Sequence, residues 1–372
     1  MSLPGDAPGV YVHIPFCLKR CDYCDFTTFA DRDEAIPGYV DALCRHIEGD
    51  DSSAALFGSV FVGGGTPTYL PPADLTSIIE TLKVNFSFTR DAEWTVEANP
   101  ETVTAEMAEA LAGAGVNRVS LGAQSFDERI LTTLGRWHDP ASVKTAVDRL
   151  RQAGIRGLSL DLIYGTPGET DASWRRSLDR TLELGVDHLS AYALTVEPNT
   201  PYAARVRAQP ALAPDDDVQA SRMAIADTVL SAHDMTRYEI SNWAAPGHQC
   251  AHNLTYWRGG DWLAFGAGAH GCWGDRRYWM VRDPARYARM VADGAEPLAG
   301  QEVISTEQRR LERLMMGLRL TEGVDRNDIE PLDDAVLDRL TDGGLLQDDV
   351  DGRVTLTPAG RPVAGAVIRQ LA

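Results

Sequence analysis

The sequence predicts an α/β fold: a partial (β/α) barrel over residues 1–293 and a small winged-helix-like α+β domain over 306–372. Three observations lead there. Strand-like and helical patterns alternate from residue 10 to residue 195, at roughly 30-residue spacing, as strand–helix–strand units do. The length, 372 residues, suits one large barrel with an appendage. After residue 305 the pattern changes to helices followed by a hairpin.

The strand-like runs are Val10–Phe16, Ser59–Gly63, Trp94–Ala98, Arg118–Ala123, Gly157–Tyr164 and His188–Thr195. They are apolar, rich in β-branched residues, and end in Gly, Pro, Asn or Ser. Amphipathic stretches lie between them. Val40, Leu43, Cys44 and Ile47 keep the i, i+3, i+4, i+7 spacing of a buried helix face, and Ala141–Gly154 closes on a glycine. Such units imply a parallel sheet with right-handed crossovers. An incomplete barrel fits the length better than an open sheet, although periodicity serves both.

A helix over Asp217–Ala232 leads to a strand over Arg237–Trp243, then to a Gly- and Trp-rich stretch, Ala251–Trp279. Gly294–Ser305 reads as a linker. Beyond it, Ser305 and Gln308 form a capping box ahead of an apolar face of Leu311, Leu314, Met315 and Leu318. A second helix, about Asp333–Gly343, precedes Leu345–Leu356, a hairpin turning at Asp351-Gly352.

Composition narrows the function. Hydrophobic residues make up 44% of the chain, enough for a sizeable core. The net charge of −19 repels a phosphate backbone, so nucleic acid is not an expected partner, for the C-terminal domain included. No signal peptide and no apolar span are legible, which predicts a cytoplasmic protein without a membrane anchor. Thiols stay reduced there, so clustered cysteines point to metal or redox chemistry.

Cys17, Cys21 and Cys24 form such a cluster, C-x3-C-x2-C, directly after the first strand. Three thiolates on a [4Fe-4S] cluster leave one iron open. That iron can chelate the amino and carboxylate groups of S-adenosylmethionine. An electron from the cluster can then cleave the sulfonium bond to a 5′-deoxyadenosyl radical. A Cys3His zinc site using His13 is the competing reading. Cys44, Cys250 and Cys272 read as ordinary core or surface thiols.

These residues resemble the radical SAM superfamily, and the string YVHIPFCLKRCDYCDF resembles its coproporphyrinogen dehydrogenase-like branch. The likeness continues through GGGTPTYL (63–70), VEANPE (96–101), SLGAQSFDERIL (120–131), LGRWH (134–138), LDLIYGTPGET (160–170), YEISNWA (238–244) and HNLTYW (252–257). The dehydrogenases of this branch carry a fourth cysteine two residues after the third, and an N-terminal extension. Here Phe26 holds that position, and the first cysteine comes at residue 17. Phe26, the short start and the H-N-x-x-Y-W string are similar to the HemW-type haem chaperones. That resemblance implies a protein that binds haem and delivers it to haem proteins such as respiratory enzymes. The alternative it leaves is oxygen-independent coproporphyrinogen III dehydrogenation. Oligomeric state is left open, a homodimer included.

The resemblance also implies site residues, several at the C-terminal ends of the strands, where barrels build their sites. Gly64, Gly65 and Thr66 would let the backbone approach the methionine part of S-adenosylmethionine and offer N–H groups to it. Glu97 would accept hydrogen bonds from its ammonium or ribose; an ion pair inside the barrel is the plainer role. Gln124, Arg136 and Asp161 would line a second S-adenosylmethionine site, with an Arg136–Asp161 ion pair as the alternative. Tyr11 matches a tyrosine that contacts the cluster-bound ligand. His252, among Tyr256, Trp257 and Trp262, is the candidate axial haem ligand, with His270, His248 and Cys250 behind it.

Overall fold

A computed structural model describes residues 5–349 and 352–372. Its centre is a sheet of six parallel strands in chain order: β1 (Gly9–Ile14), β2 (Leu56–Gly64), β3 (Ser87–Ala98), β4 (Arg118–Gln124), β5 (Gly157–Tyr164) and β6 (His188–Ala193). Each is joined to the next through helix. α1 (Ile36–Glu48) follows β1, α2 (Pro72–Asn85) follows β2, and α3 (Ala105–Gly113) follows β3. α4 (Glu128–Thr133) and α5 (Pro140–Gln152) follow β4, and α6 (Asp171–Glu183) follows β5. α7 (Pro201–Ala208) and α8 (Asp216–Ser231) follow β6.

The barrel stays open. β6 pairs not with β1 but with a short hairpin, β7 (Thr236–Glu239) and β8 (Asn242–Ala244). The expected single strand over Arg237–Trp243 is therefore two, doubling back at Ile240–Ser241. The Gly- and Trp-rich stretch supplies α9 (Ala251–Trp257) and then β9 (Trp262–Phe265), which runs parallel to β1 on its free side. Beyond it the sheet turns antiparallel through β10 (His270–Trp273), β11 (Arg276–Met280) and, after α10 (Pro284–Ala292), β12 (Leu298–Val303). The linker expected over Gly294–Ser305 is thus largely an edge strand. Its side chains face solvent along most of their length, so it carries no apolar alternation to read.

Local chemistry sets the element ends. Asp139 caps α5 ahead of Pro140, and Gly154, just past its end, takes a left-handed φ of 95°. Thr170 and Ser173 make a capping box for α6, and Ser305 and Gln308 make the expected one for α11 (Thr306–Gly317). α11 buries Leu314 and Leu318, but Met315 turns outward at 41% exposure and Met316 faces a cleft.

α11 packs with α12 (Asp334–Asp342), α13 (Ala364–Leu371) and a three-stranded sheet of β13 (Val324–Asp325), β14 (Leu346–Asp348) and β15 (Arg353–Leu356). Leu314, Leu337, Leu346, Val354 and Val367 form its core, separate from that of the large sheet. β14 and β15 are the expected hairpin; Asp351 of its turn lies outside the described residues. No helix among the described residues is long and apolar enough to cross a membrane.

Candidate functional site

The three clustered cysteines sit in a loop at the C-terminal end of β1. Backbone bonds from Cys17 N to Phe29 O (3.0 Å) and from Phe29 N to Pro15 O (2.7 Å) close its neck. Arg205 Nη1 holds Asp22 Oδ2 at 2.8 Å, and Arg20 Nη2 donates to Cys24 O at 3.0 Å. The thiol of Cys17 accepts from Thr66 Oγ1 at 3.5 Å and that of Cys21 from Arg136 Nη1 at 3.2 Å.

His13 ties down the far end of the loop. Its Nε2 donates to Thr27 O at 2.8 Å, so its Nδ1 accepts from Tyr11 Oη at 2.9 Å. Both nitrogens are engaged, and burial holds the ring's pKa down at about 4. The Cys3His zinc reading fails on this geometry. Among the described residues, no three His, Cys, Asp or Glu side chains converge on a single ion. Three loop thiols instead face one common cavity, Cys17, Cys21 and Cys24 all lining it.

That cavity, an open pocket of about 120 Å³, is lined by Cys17, Cys21, Cys24, Gly64, Gly65, Thr66, Glu97, Gln124, Arg136 and Asp161. Strands β1 to β5 bring their C-terminal ends together there, which is why residues up to 144 positions apart share it, from Cys17 to Asp161. Gly65 shows how close the approach is. A Cβ there would stand 2.6 Å from Phe16 O and 3.1 Å from Cys17 Sγ. The N–H groups of this turn are already taken. Gly64 N bonds Glu97 Oε2 (2.9 Å), Gly65 N bonds Ile14 O (2.7 Å) and Thr66 N bonds Phe16 O (2.8 Å). The turn therefore supplies a close seat against the cysteine loop and not the free donors expected of it.

Glu97 stands at the end of β3. Burial first, then the charge of Asp161, pushes its carboxyl up to about 7. Asp161 accepts from Ser120 Oγ at 3.0 Å, and burial raises it too. Arg136 does not pair with it. Its guanidinium reaches Asn99 Oδ1 and Gly122 O, each at 2.8 Å, as well as Cys21. Gln124 ends β4 in a left-handed backbone, φ 60°, uncommon for a residue with a side chain. Its amide, Asn99 and Arg136 crowd over Gly122, where a Cβ would meet Gln124 Nε2 at 2.9 Å. Asn99 was not picked out, although it lies within the VEANPE string. It also donates to Thr66 Oγ1 at 2.8 Å and so joins the glycine turn to Arg136.

Two expected residues lie elsewhere. Tyr11 is absent from the cysteine cavity; it lines a wider cleft on the other side of Gly64 and Glu97. His252 lies on α9, inside the barrel and toward the end opposite the cysteine loop, against Gly9 and Ser59. It is 1% exposed. Ser59 Oγ is 2.9 Å from Nδ1 and Tyr256 Oη 2.6 Å from Nε2, and burial lowers the pKa to about 3. A ring with both nitrogens taken in a closed interior does not fit an axial haem ligand. Glu93 fixes it there by accepting from Ala251 N (3.0 Å) and His252 N (3.2 Å) at the start of α9.

Comparison with known proteins fits this arrangement. A family model described as the radical SAM superfamily matches residues 11–181, and one described as the HemN C-terminal domain matches 304–363. Heme chaperone HemW of Mycobacterium tuberculosis is 41% identical, over 99% of this chain and 96% of its own. The chain belongs to the HemW family of radical SAM proteins. Heme chaperone HemW of Bacillus subtilis is a further relative, 33% identical over 96% of this chain and 97% of its own. Among solved structures, coproporphyrinogen III oxidase of Escherichia coli, a radical SAM enzyme, matches with a TM-score of 0.84 at 24% identity. The match covers 98% of this chain and 90% of that one, a likeness of fold. Radical SAM membership implies a [4Fe-4S] cluster and S-adenosylmethionine, and the thiols and the glycine turn fit both.

Proposed function

We propose that this chain is a haem chaperone, which binds haem and hands it to haem-requiring proteins such as respiratory enzymes. It carries a [4Fe-4S] cluster on Cys17, Cys21 and Cys24, with S-adenosylmethionine beside Gly64–Thr66 and Glu97. The observation that supports this most is the nearly end-to-end likeness to heme chaperones HemW. Phe26, at the place of the dehydrogenases' fourth cysteine, agrees with it and stands 64% exposed at the mouth of the site.

When bound, a reduced cluster supplies the electron that can cleave the sulfonium of S-adenosylmethionine. The chain's own residues do the positioning. Thr66 and Arg136 hold two of the thiols, and Gly65 lets the turn seat against the Ile14 and Phe16 carbonyls beside Cys17. Glu97 turns one oxygen to Gly64 N and keeps the other to accept from an ammonium or a ribose hydroxyl. Gln124, Arg136 and Asp161 bound the rest of the pocket. Burial pushes the Cys17 thiol up to about 11, a balance that a neighbouring iron cation reverses.

The test is an anaerobic haem titration of the reconstituted full chain, followed by transfer to an acceptor protein freed of haem. A saturable Soret shift near equimolar haem, passed on to the acceptor, is expected. A chain that leaves haem unbound but consumes coproporphyrinogen III with S-adenosylmethionine would overturn the reading. In parallel, Cys24→Ser is expected to drop iron and acid-labile sulfide to background while circular dichroism stays unchanged. Full iron retention in that variant would remove Cys24 from the ligand set.

A further inference from the structure

His252 is closed off, so a haem-binding chain needs another place for the macrocycle. The wider cleft is about 610 Å³ and opens between the cysteine loop, α9, β9, the start of β10 and α11. An iron porphyrin asks three things of such a place: apolar walls, a side chain with a free lone pair for the iron, and a cation for the propionates.

The cleft offers all three. Phe26, Tyr256, Trp257 and Trp262 line it. Phe26 keeps much of its ring in water, and Tyr256 packs edge-on against Trp262 at 4.6 Å. His270, at the start of β10, is exposed to it, and its ring lies nearly parallel to Trp279 at 6.2 Å and 22°. Among the described residues its ring nitrogens make no hydrogen bond, whereas those of His13 and His252 are both taken. The backbone beneath it is fixed, since Trp262 Nε1 donates to His270 O at 2.7 Å. Burial and the nearby Arg282 and Arg277 hold the imidazole's pKa low, so the ring is neutral and able to ligate at pH 7.

Arg282 lines the same cleft. Its Nε reaches Thr27 Oγ1 at 3.0 Å, and among the described residues it forms no ion pair, in a chain of net charge −19. Such an arginine keeps its remaining N–H groups for a carboxylate. Two acids share the cleft: Glu97, already engaged by Gly64 N, and Asp25 on the loop.

We propose that haem docks in this cleft with His270 as an axial ligand to iron and Arg282 beside a propionate. This assignment rests on the haem-chaperone reading. It makes the open side of the barrel the cargo berth, next to the cysteine cavity, with Tyr256 and Trp257 of the HNLTYW helix in its wall and His252 buried apart from it.

The test uses the full reconstituted chain and two probes, haem and iron-free protoporphyrin IX. His270→Gly is expected to weaken haem binding by about tenfold or more and to change the Soret and electron-paramagnetic-resonance signature. It should leave protoporphyrin IX affinity unchanged, and added imidazole should restore the haem spectrum. Arg282→Gln should weaken both probes. A His270→Gly chain that binds haem with wild-type affinity and spectrum overturns the assignment while leaving the chaperone reading standing. So does loss of both probes together in that variant without rescue by imidazole, which would mark a structural role. Failure of the wild-type chain to bind haem at all overturns the chaperone reading itself, and this assignment with it.

Discussion

Gly65→Ala is expected to strip the chain of most of its iron and to lower its stability by about 1–3 kcal/mol, the usual cost of overpacking a tight site. The reason is space, since φ at Gly65 is not left-handed. An added methyl group would stand 2.6 Å from Phe16 O and 2.8 Å from Ile14 O, both rigid backbone, and 3.1 Å from Cys17 Sγ. The same carbonyls accept from Gly65 N and Thr66 N, so the methyl pushes apart the seam that joins the glycine turn to the cysteine loop. Cys17 moves with Phe16. Iron and sulfide assays after reconstitution, beside a urea melt, check both parts. Wild-type iron content would show that the loop gives way without moving its thiols.

The second large effect concerns a residue that lines neither the cysteine cavity nor the cleft. Arg222 of α8 is 5% exposed and lies 3.3 Å from Glu169, a buried carboxylate in the loop after β5. The contact is ionic, without the alignment of a hydrogen bond. Arg222 also reaches Asp171, which is exposed and needs no partner, and Glu169 O at 3.1 Å. Arg222→Met leaves Glu169 buried and held only by Gly165 N, with no cation beside it when it ionises. Stranding one partner of a buried pair costs about 3–5 kcal/mol.

The cost depends on pH. Burial already pushes Glu169 up to about 7, against the pull of Gly165 N–H and Arg222. A folded value above the usual 4.5 means that this group's contribution is full below 4.5 and is lost as pH rises through 7. Without Arg222 the value climbs further. The variant should therefore lose little at about pH 5, where Glu169 is protonated in both chains, and measurably more at about pH 8, where only the wild-type carboxylate is largely ionised. Urea melts at the two pH values decide it, and equal losses would assign the cost to packing.

That pair also shows what was legible in the sequence. LDLIYGTPGET stood out as a string, and the strand and the glycine turn within it could be read from local pattern. The work of Glu169 could not, because its partner lies 53 residues on, from Glu169 to Arg222. The parallel strands, the cysteine loop and the residues at the strand ends were readable for the same reason in reverse. Period, turn chemistry and spacing are local, and a barrel gathers the ends of its strands whatever the rest of the chain does. His252 misled because aromatic neighbours in sequence look like a porphyrin wall. Ser59, 193 residues away from it, is what closes the ring in. The Arg136–Asp161 pair failed on direction: Arg136 turns to Asn99 and the cysteine loop, Asp161 to Ser120. β12 went unseen because an exposed edge strand carries neither apolar period.

Gly64, Glu97 and Phe26 line both the cysteine cavity and the wider cleft. An occupant of one space that displaces any of the three reshapes the other. Whatever factor one ligand imposes on the other is returned unchanged. On the reading proposed above, haem in the cleft and S-adenosylmethionine in the cavity would each tune how firmly the other is held.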